Sequence, residues 1–290
     1  MWPKFPPSSW DSHIHCFNPE KHPFKSGRTY TPPPASLASF VQQSPVSHVM
    51  LVQATVEYGH ASLVDTLTQC RQQYPSLTIR GTLVKQSNWA ELDAKTFDKL
   101  HGLGVRSIRL HGFYGGSGRD PTAIRETLRS LAASYPVRTH GWTVSAQLPL
   151  GTWAALSEAL LHDPDLSQLR MIADHNGCAT PADVGGADLE AFLNLLRSQR
   201  VLVKVSALYR RSPKDIQAMR DIVQCFAGVA PEVLLWGSDW PHCDTTAGGN
   251  ELPPLRGPRE VAEELQLLRD WLTDDQWRKM LSETPQRTFA

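Results

Sequence analysis

The chain has no CxxC pair, no run of about 20 apolar residues, no surplus of charge of either sign and no glycine-rich phosphate loop. Each absence excludes something. The five cysteines, Cys16, Cys70, Cys178, Cys225 and Cys243, are scattered, which argues against zinc-ribbon and thioredoxin-like sites and for free thiols in a reducing compartment. The first ten residues are proline-rich and lack the apolar stretch of a signal peptide. Lys plus Arg number 29 and Asp plus Glu 29. That balance argues against a nucleic-acid or polybasic membrane partner, because both depend on excess positive charge. The expectation is a soluble cytoplasmic protein, its oligomeric state open between monomer and homodimer.

What is present is an alternation of short apolar runs and amphipathic segments along 290 residues, 41% of them hydrophobic. Strands are expected at Ser9–Ile14, Val49–Ala54, Leu77–Leu83, Val105–Leu110, Thr143–Gln147, Arg170–Asp174, Val201–Val205 and Val233–Gly237. Helices are expected at Ala61–Gln73, Ala90–Gly102, Thr122–Ser134, Thr152–Leu161, Asp188–Gln199, Pro213–Phe226 and Pro258–Trp271. Asp120-Pro121 and Ser212-Pro213 read as an N-cap followed by proline in the first helical turn. Gly102 and Gly104 read as a helix stop and a tight return. Strands alternating with helices imply right-handed crossovers and a parallel sheet. Eight such units fit a closed (β/α)₈ barrel spanning residues 1–290 as one domain. The stretches Thr31–Pro34 and Ala247–Pro258 read as long loops after strands 1 and 8, on the face where such barrels carry their chemistry.

Chemistry-bearing residues stand at those strand ends. In Asp11-Ser12-His13-Ile14-His15 the two histidines are two apart, so a strand turns both to one face. His175 directly follows strand 6. Asp239 closes Leu234-Leu235-Trp236-Gly237-Ser238-Asp239, and Trp240-Pro241-His242 comes next.

The segments DSHIH, ADHNG and LLWGSDWPH, in that order, resemble the amidohydrolase-2 branch of the amidohydrolase superfamily over residues 10 to 289. Within it the likeness is greatest to the 2-pyrone-4,6-dicarboxylate lactonases and related sugar lactonases. Weaker supports are the Phe17–Tyr30 loop, Val52-Gln53-Ala54, Gly104–Arg109, Lys204-Val205-Ser206 and a terminal Thr284-Pro285-Gln286-Arg287, with Thr where the family element has Asn.

The resemblance implies opening of a lactone ester in the catabolism of aromatic acids. Asp239 would be the general base on water, a role that burial can favour by raising a carboxylate's pKa. His13, His15 and His175 would polarise the carbonyl. Arg109 and Arg210 match family arginines that grip substrate carboxylates. His111, two residues after Arg109, and His242 are further candidates for touching substrate. Gln147 stands where the pyrone lactonases have a substrate-touching tyrosine. A second strand-4 arginine of those enzymes falls on or near Gly115, so one strong anion contact of the dicarboxylate enzymes is missing here.

His13, His15, His175 and Asp239 would also serve as zinc-type ligands. Metal-dependent members of the superfamily add a histidine, glutamate or carboxylated lysine from strand 4 or 5. Gln147, whose amide oxygen is a poor zinc ligand, holds that place here. The lactonases it resembles work without a divalent ion, so no cofactor is expected, with zinc or manganese as the alternative. Two other functions stay open. One is a metal-dependent decarboxylase of the same superfamily; the other is a barrel without catalysis that only binds.

Overall fold

The computed structural model describes residues 2–28, 30–86, 89, 91–111, 117–243 and 257–290. The strands are β1 (Trp10–Ile14), β2 (His48–Val52), β3 (Thr78–Val84), β4 (Val105–His111), β5 (Thr143–Gln147), β6 (Met171–Ala173), β7 (Val201–Ser206) and β8 (Leu234–Gly237). All pair parallel, in the order of the chain. The expected (β/α)₈ barrel is therefore the observed one, with strand limits shifted by a residue or two. Among the described residues no helix is long and apolar enough to cross a membrane, and the five cysteines carry no disulfide.

Closure between β8 and β1 is made by hydrogen bonds around the strand ends. Asp239 N donates to His13 O at 2.9 Å and His15 N to Trp240 O at 2.8 Å. The buried carboxylate of Asp11 adds a clamp: its Oδ1 accepts from Ser238 N at 2.9 Å and from His13 N at 3.1 Å. Gly237 makes the approach possible, since a Cβ there would lie 2.5 Å from His13 Cβ and 2.9 Å from His13 N.

The barrel interior departs from the uniformly apolar strands expected. Ser107, Arg109 and His111 share one face of β4, as do Thr143, Ser145 and Gln147 on β5 and Lys204 and Ser206 on β7. The intervening Ile108, Val144, Ala146, Val203 and Val205 are buried on the opposite face. The axis of this barrel is thus polar in its upper half, and its apolar residues serve mainly the packing of strand on helix.

Several helices match the expected spans. Asp120 Oδ1 accepts from the backbone N–H groups of Thr122 and Ala123, and Pro121 opens the helix Pro121–Ala132. Ser212-Pro213 does not start a helix. Ser212 has φ −141 and donates its hydroxyl to Asp215 O, and Asp215 caps a 3-10 turn, Ile216–Met219, ahead of the helix Arg220–Val229. The third helix begins at Ala94, where Asp93 caps it; the expected start, Ala90, lies outside the described residues. So do Thr29, Tyr114, Gly115, Gly116 and positions 247–256 of the long loop after β8. The sequence pattern passed over short helices at Leu37–Gln43, Tyr135–His140, Leu208–Arg211 and Asp274–Arg278, and the terminal helix Thr284–Phe289. The terminal element is structural: Thr284 Oγ1 and Arg287 Nη2 both donate to Glu232 O, just before β8.

Gly237→Ala should lose about 1–3 kcal/mol to the forced separation of β8 from β1. Urea unfolding monitored by the buried tryptophans measures this; a loss below about 0.3 kcal/mol would show that the two strands are not in close contact there.

Candidate active site

Strand ends deliver the predicted residues to one place. His13 Nε2 and His15 Nε2 lie 3.3 Å apart. Asp239 Oδ1 is 3.7 Å from His13 Nε2, 3.6 Å from His15 Nε2 and 4.0 Å from His175 Nε2. His175 and Asp239 reach this point through left-handed backbone, with φ 51 and φ 60, and Ala207 after β7 has φ 49. Each such residue is disfavoured by roughly 1–2 kcal/mol relative to ordinary backbone, a cost that clusters here at the ends of β6, β7 and β8.

Above the group opens a narrow cleft lined by His15, Phe17, Tyr30, Arg109, His111, Gln147, His175, Arg210, Asp239, Pro241 and Cys243. His242 is not part of it. Its N–H donates to Asp239 O at 2.8 Å, turning the chain so that the imidazole lines a separate pocket with Trp2, Phe40, Trp236 and Trp240. Tyr30 and Phe17, above only the bounds of a family-like loop, are additions to the site, since an aromatic in a loop carries no periodic signal.

Arg210 is bound to the carboxylate. Its Nη2 is 2.8 Å from Asp239 Oδ2 and also donates to Cys243 O, its Nε donates to Tyr209 OH at 3.2 Å, and its guanidinium lies 5.5 Å from the Tyr209 ring centre. Arg109 is placed differently. Its Nη1 donates to Gln53 O at 3.3 Å, and its Nε is 3.8 Å from Asp174 Oδ2, too far for a hydrogen bond.

Burial alone would raise the Asp239 pKa, as the sequence argument anticipated. Arg210, His175, His15 and His13 together outweigh it, Arg210 most of the four, and the carboxyl is held well below its usual 3.8. The resting Asp239 is an ion-paired carboxylate, not a carboxyl tuned toward neutrality. Burial pushes His13 down to about 3, with Lys204 adding to the effect. Burial likewise pushes His111 down to about 3, with Arg109 adding, and carries His175 well below 6.5. These three imidazoles are neutral near pH 7.

Beneath the histidines lies a buried group built on Lys204 and Asp174, which entered above only as parts of family-like segments and not as site residues. Lys204 Nζ is 3.0 Å from Asp174 Oδ1, 3.3 Å from Ser145 Oγ and 3.3 Å from His13 Nδ1. Ser145 Oγ donates to Asp174 Oδ1 at 2.6 Å. The signal was available: a lysine inside the apolar run Val201–Val205 cannot be buried without a partner.

The amidohydrolase family model matches residues 10–290. The chain belongs to the amidohydrolase family. A 4-sulfomuconolactone hydrolase of Hydrogenophaga intermedia is 24% identical, the match covering 98% of this chain and 89% of the relative. A 2-pyrone-4,6-dicarboxylate hydrolase of Comamonas testosteroni is 28% identical over 82% of this chain and 78% of its own. A crystal structure from Pseudomonas putida, provisionally named a 2-pyrone-4,6-dicarboxylic acid hydrolase, superposes with a TM-score of 0.73 at 24% identity, covering 97% of each chain. That last likeness concerns the fold.

Members of this family often hold a divalent metal, and His13, His15 and Asp239 offer ligand atoms within 4.8 Å of one another. A metal-bound imidazole keeps its outer nitrogen protonated and donates it to an acceptor. His15 meets that requirement, with Nδ1 2.6 Å from Val52 O. His13 does not, because its Nδ1 faces the donor Lys204 Nζ at 3.3 Å. Asp239 Oδ2 is committed to Arg210. The set fits an ion at His15 and fails at His13.

A carboxyl with a depressed folded pKa contributes stability that is present above its unfolded value and lost as pH falls through the folded one. Carbon NMR of labelled aspartates should therefore show Asp239 ionised throughout the range above about pH 4 in the free protein, and its midpoint moving upward in Arg210→Met. A wild-type midpoint at about pH 6 or higher would mean that the Arg210 pair does not govern this carboxyl.

Proposed function

We propose that this amidohydrolase opens the ester of a lactone that carries a carboxylate or a similar anion. The observation that carries the reading is Asp239: an ionised carboxylate at the floor of a cleft, flanked by three histidines and faced by two arginines. The hydrolase activities named for the Hydrogenophaga and Comamonas relatives support the same class of substrate.

In this reading a water on the open side of Asp239 is deprotonated as it attacks the lactone carbonyl. Neutral imidazole N–H groups receive the negative charge that develops on the carbonyl oxygen. Arg109 anchors the substrate anion, with His111 and Gln147 beside it on the wall of the cleft. An incoming anion also competes with Asp239 for Arg210. Every hydrogen bond it draws away from the pair leaves Asp239 a stronger base, so substrate binding and base strength are linked through one guanidinium.

The lactonase reading uses no metal. Activity should survive prolonged chelation, with metal content measured by mass spectrometry in the same sample. Stoichiometric metal whose removal abolishes turnover, restored on adding it back, would overturn this and favour a metal-dependent decarboxylase or hydrolase. A panel of carboxylated pyrones, muconolactones and sugar lactones, read with a pH indicator, tests the reaction class against a barrel that only binds.

Asp239→Asn keeps the shape and removes the proton acceptor, so kcat should fall by about 10²–10⁴ with the circular dichroism unchanged. Arg109→Met should act mainly on KM. Losing one charge-assisted hydrogen bond is worth roughly 1.5–3 kcal/mol, a KM increase of about 10- to 150-fold for an anionic lactone. An equal loss on a neutral lactone would show that Arg109 is not an anion anchor.

A further inference from the structure

HxH motifs are usually read for the nitrogens that point at the reacting centre, but the two histidines here differ in what stands behind them. We propose that Lys204 is a positioning residue whose ammonium, by donating to Nδ1 of His13, fixes that imidazole in the tautomer with its hydrogen on Nε2. His13 is thereby a hydrogen-bond donor to the centre, while His15, two residues on, is an acceptor.

The assignment follows from partners alone. A lysine ammonium has three donors and no acceptor. Lys204 Nζ has three acceptors within reach: Asp174 Oδ1 at 3.0 Å, Ser145 Oγ at 3.3 Å and His13 Nδ1 at 3.3 Å. Ser145 spends its own hydrogen on Asp174 Oδ1 at 2.6 Å, leaving a lone pair for the lysine. The competing arrangement would have His13 Nδ1–H donate to Asp174 Oδ1. That distance is 3.7 Å, beyond hydrogen-bond range, and the oxygen already accepts from Ser145 and Lys204.

With Nδ1 accepting, the imidazole hydrogen sits on Nε2, 3.3 Å from His15 Nε2. His15 can accept it there because its Nδ1 donates to Val52 O at 2.6 Å. The result is a one-way series of donors: Lys204 to His13, His13 to His15, and His15 to the end of β2. Burial, which keeps His13 neutral, agrees with it. The tautomer follows from geometry; only its catalytic use, as the N–H that a developing oxyanion takes, rests on the hydrolase reading above.

The test is nitrogen NMR on protein labelled at histidine, near neutral pH, where long-range proton–nitrogen spectra separate the two neutral tautomers. His13 signals are assigned by their loss in His13→Gln. The expected wild-type result is His13 protonated on Nε2 and His15 on Nδ1. Lys204→Met alone strands a buried carboxylate, so Lys204→Met/Asp174→Asn is prepared beside it. In the double variant His13 should move toward the Nδ1–H form, and kcat should fall by about 10²-fold with KM changed by less than about threefold. Wild-type His13 protonated on Nδ1 overturns the inference, as does a double variant that keeps the wild-type tautomer. A wild type that shows the Nε2–H form yet opens none of the lactones leaves this assignment standing and removes the hydrolase reading.

Discussion

Lys204 and Asp174, 1% and 0% exposed, meet at 3.0 Å on the axis of the barrel, and most of the site is arranged around that contact. Desolvating two charges costs several kcal/mol for each ion, and a well-packed apolar pair would serve stability as well or better. The pair is therefore hard to explain as a device for holding the fold together. Its surroundings show what it organises. The carboxylate takes a hydrogen bond from Ser145 and lies beside Arg109, and the ammonium faces His13. Removing either partner would leave the other uncompensated and move both the anion anchor and the first histidine.

Charge bookkeeping along the axis leads to the same class of ligand by another route. Among the described residues of the cleft wall, the cations Arg109 and Arg210 face the single anion Asp239, while Lys204 is paired with Asp174 below and His13, His111 and His175 are held neutral by burial. An excess of positive charge in a poorly solvated cleft calls for a counter-ion. Arg109 is the side chain best placed to hold it: Arg210 already has a carboxylate at 2.8 Å, whereas the Arg109 Nε and the Asp174 Oδ2 opposite it are buried without a hydrogen bond.

The architecture was legible in the sequence because strand and helix periods alternate eight times, and because a parallel strand buried on both faces shows as a short apolar run. His175 and Asp239 were legible because each follows such a run, and His13 and His15 because their spacing of two turns both to one face of the first strand. What escaped was information held between strands. Lys204 sits within a run that reads as apolar, and its partner Asp174 reads as a strand end; only the barrel's curvature brings β6, β7 and β1 to one point. His242 shows the converse. Its position three residues after Asp239 suggested a shared cavity, but the left-handed backbone at Asp239 and a turn closed by His242 N carry the imidazole to the other side. Ser212-Pro213 failed for a local reason, since the Ser212 hydroxyl is used in a turn with Asp215 rather than in a cap.

The two histidines of β1 finally separate what a motif can specify from what it cannot. Their spacing ensures only that both rings leave the same face of the strand. One ring, a step higher, meets the carbonyl that ends β2; the other, a step lower, meets a lysine from β7. A carbonyl accepts and an ammonium donates, so chemically identical side chains are driven to opposite tautomers at 3.3 Å from each other. A divalent ion would require both outer nitrogens to donate, and a hydrogen-bonded pair requires them to differ. The residue behind the first histidine, a donor here where an ion would need an acceptor, therefore carries information that the HxH sequence itself does not.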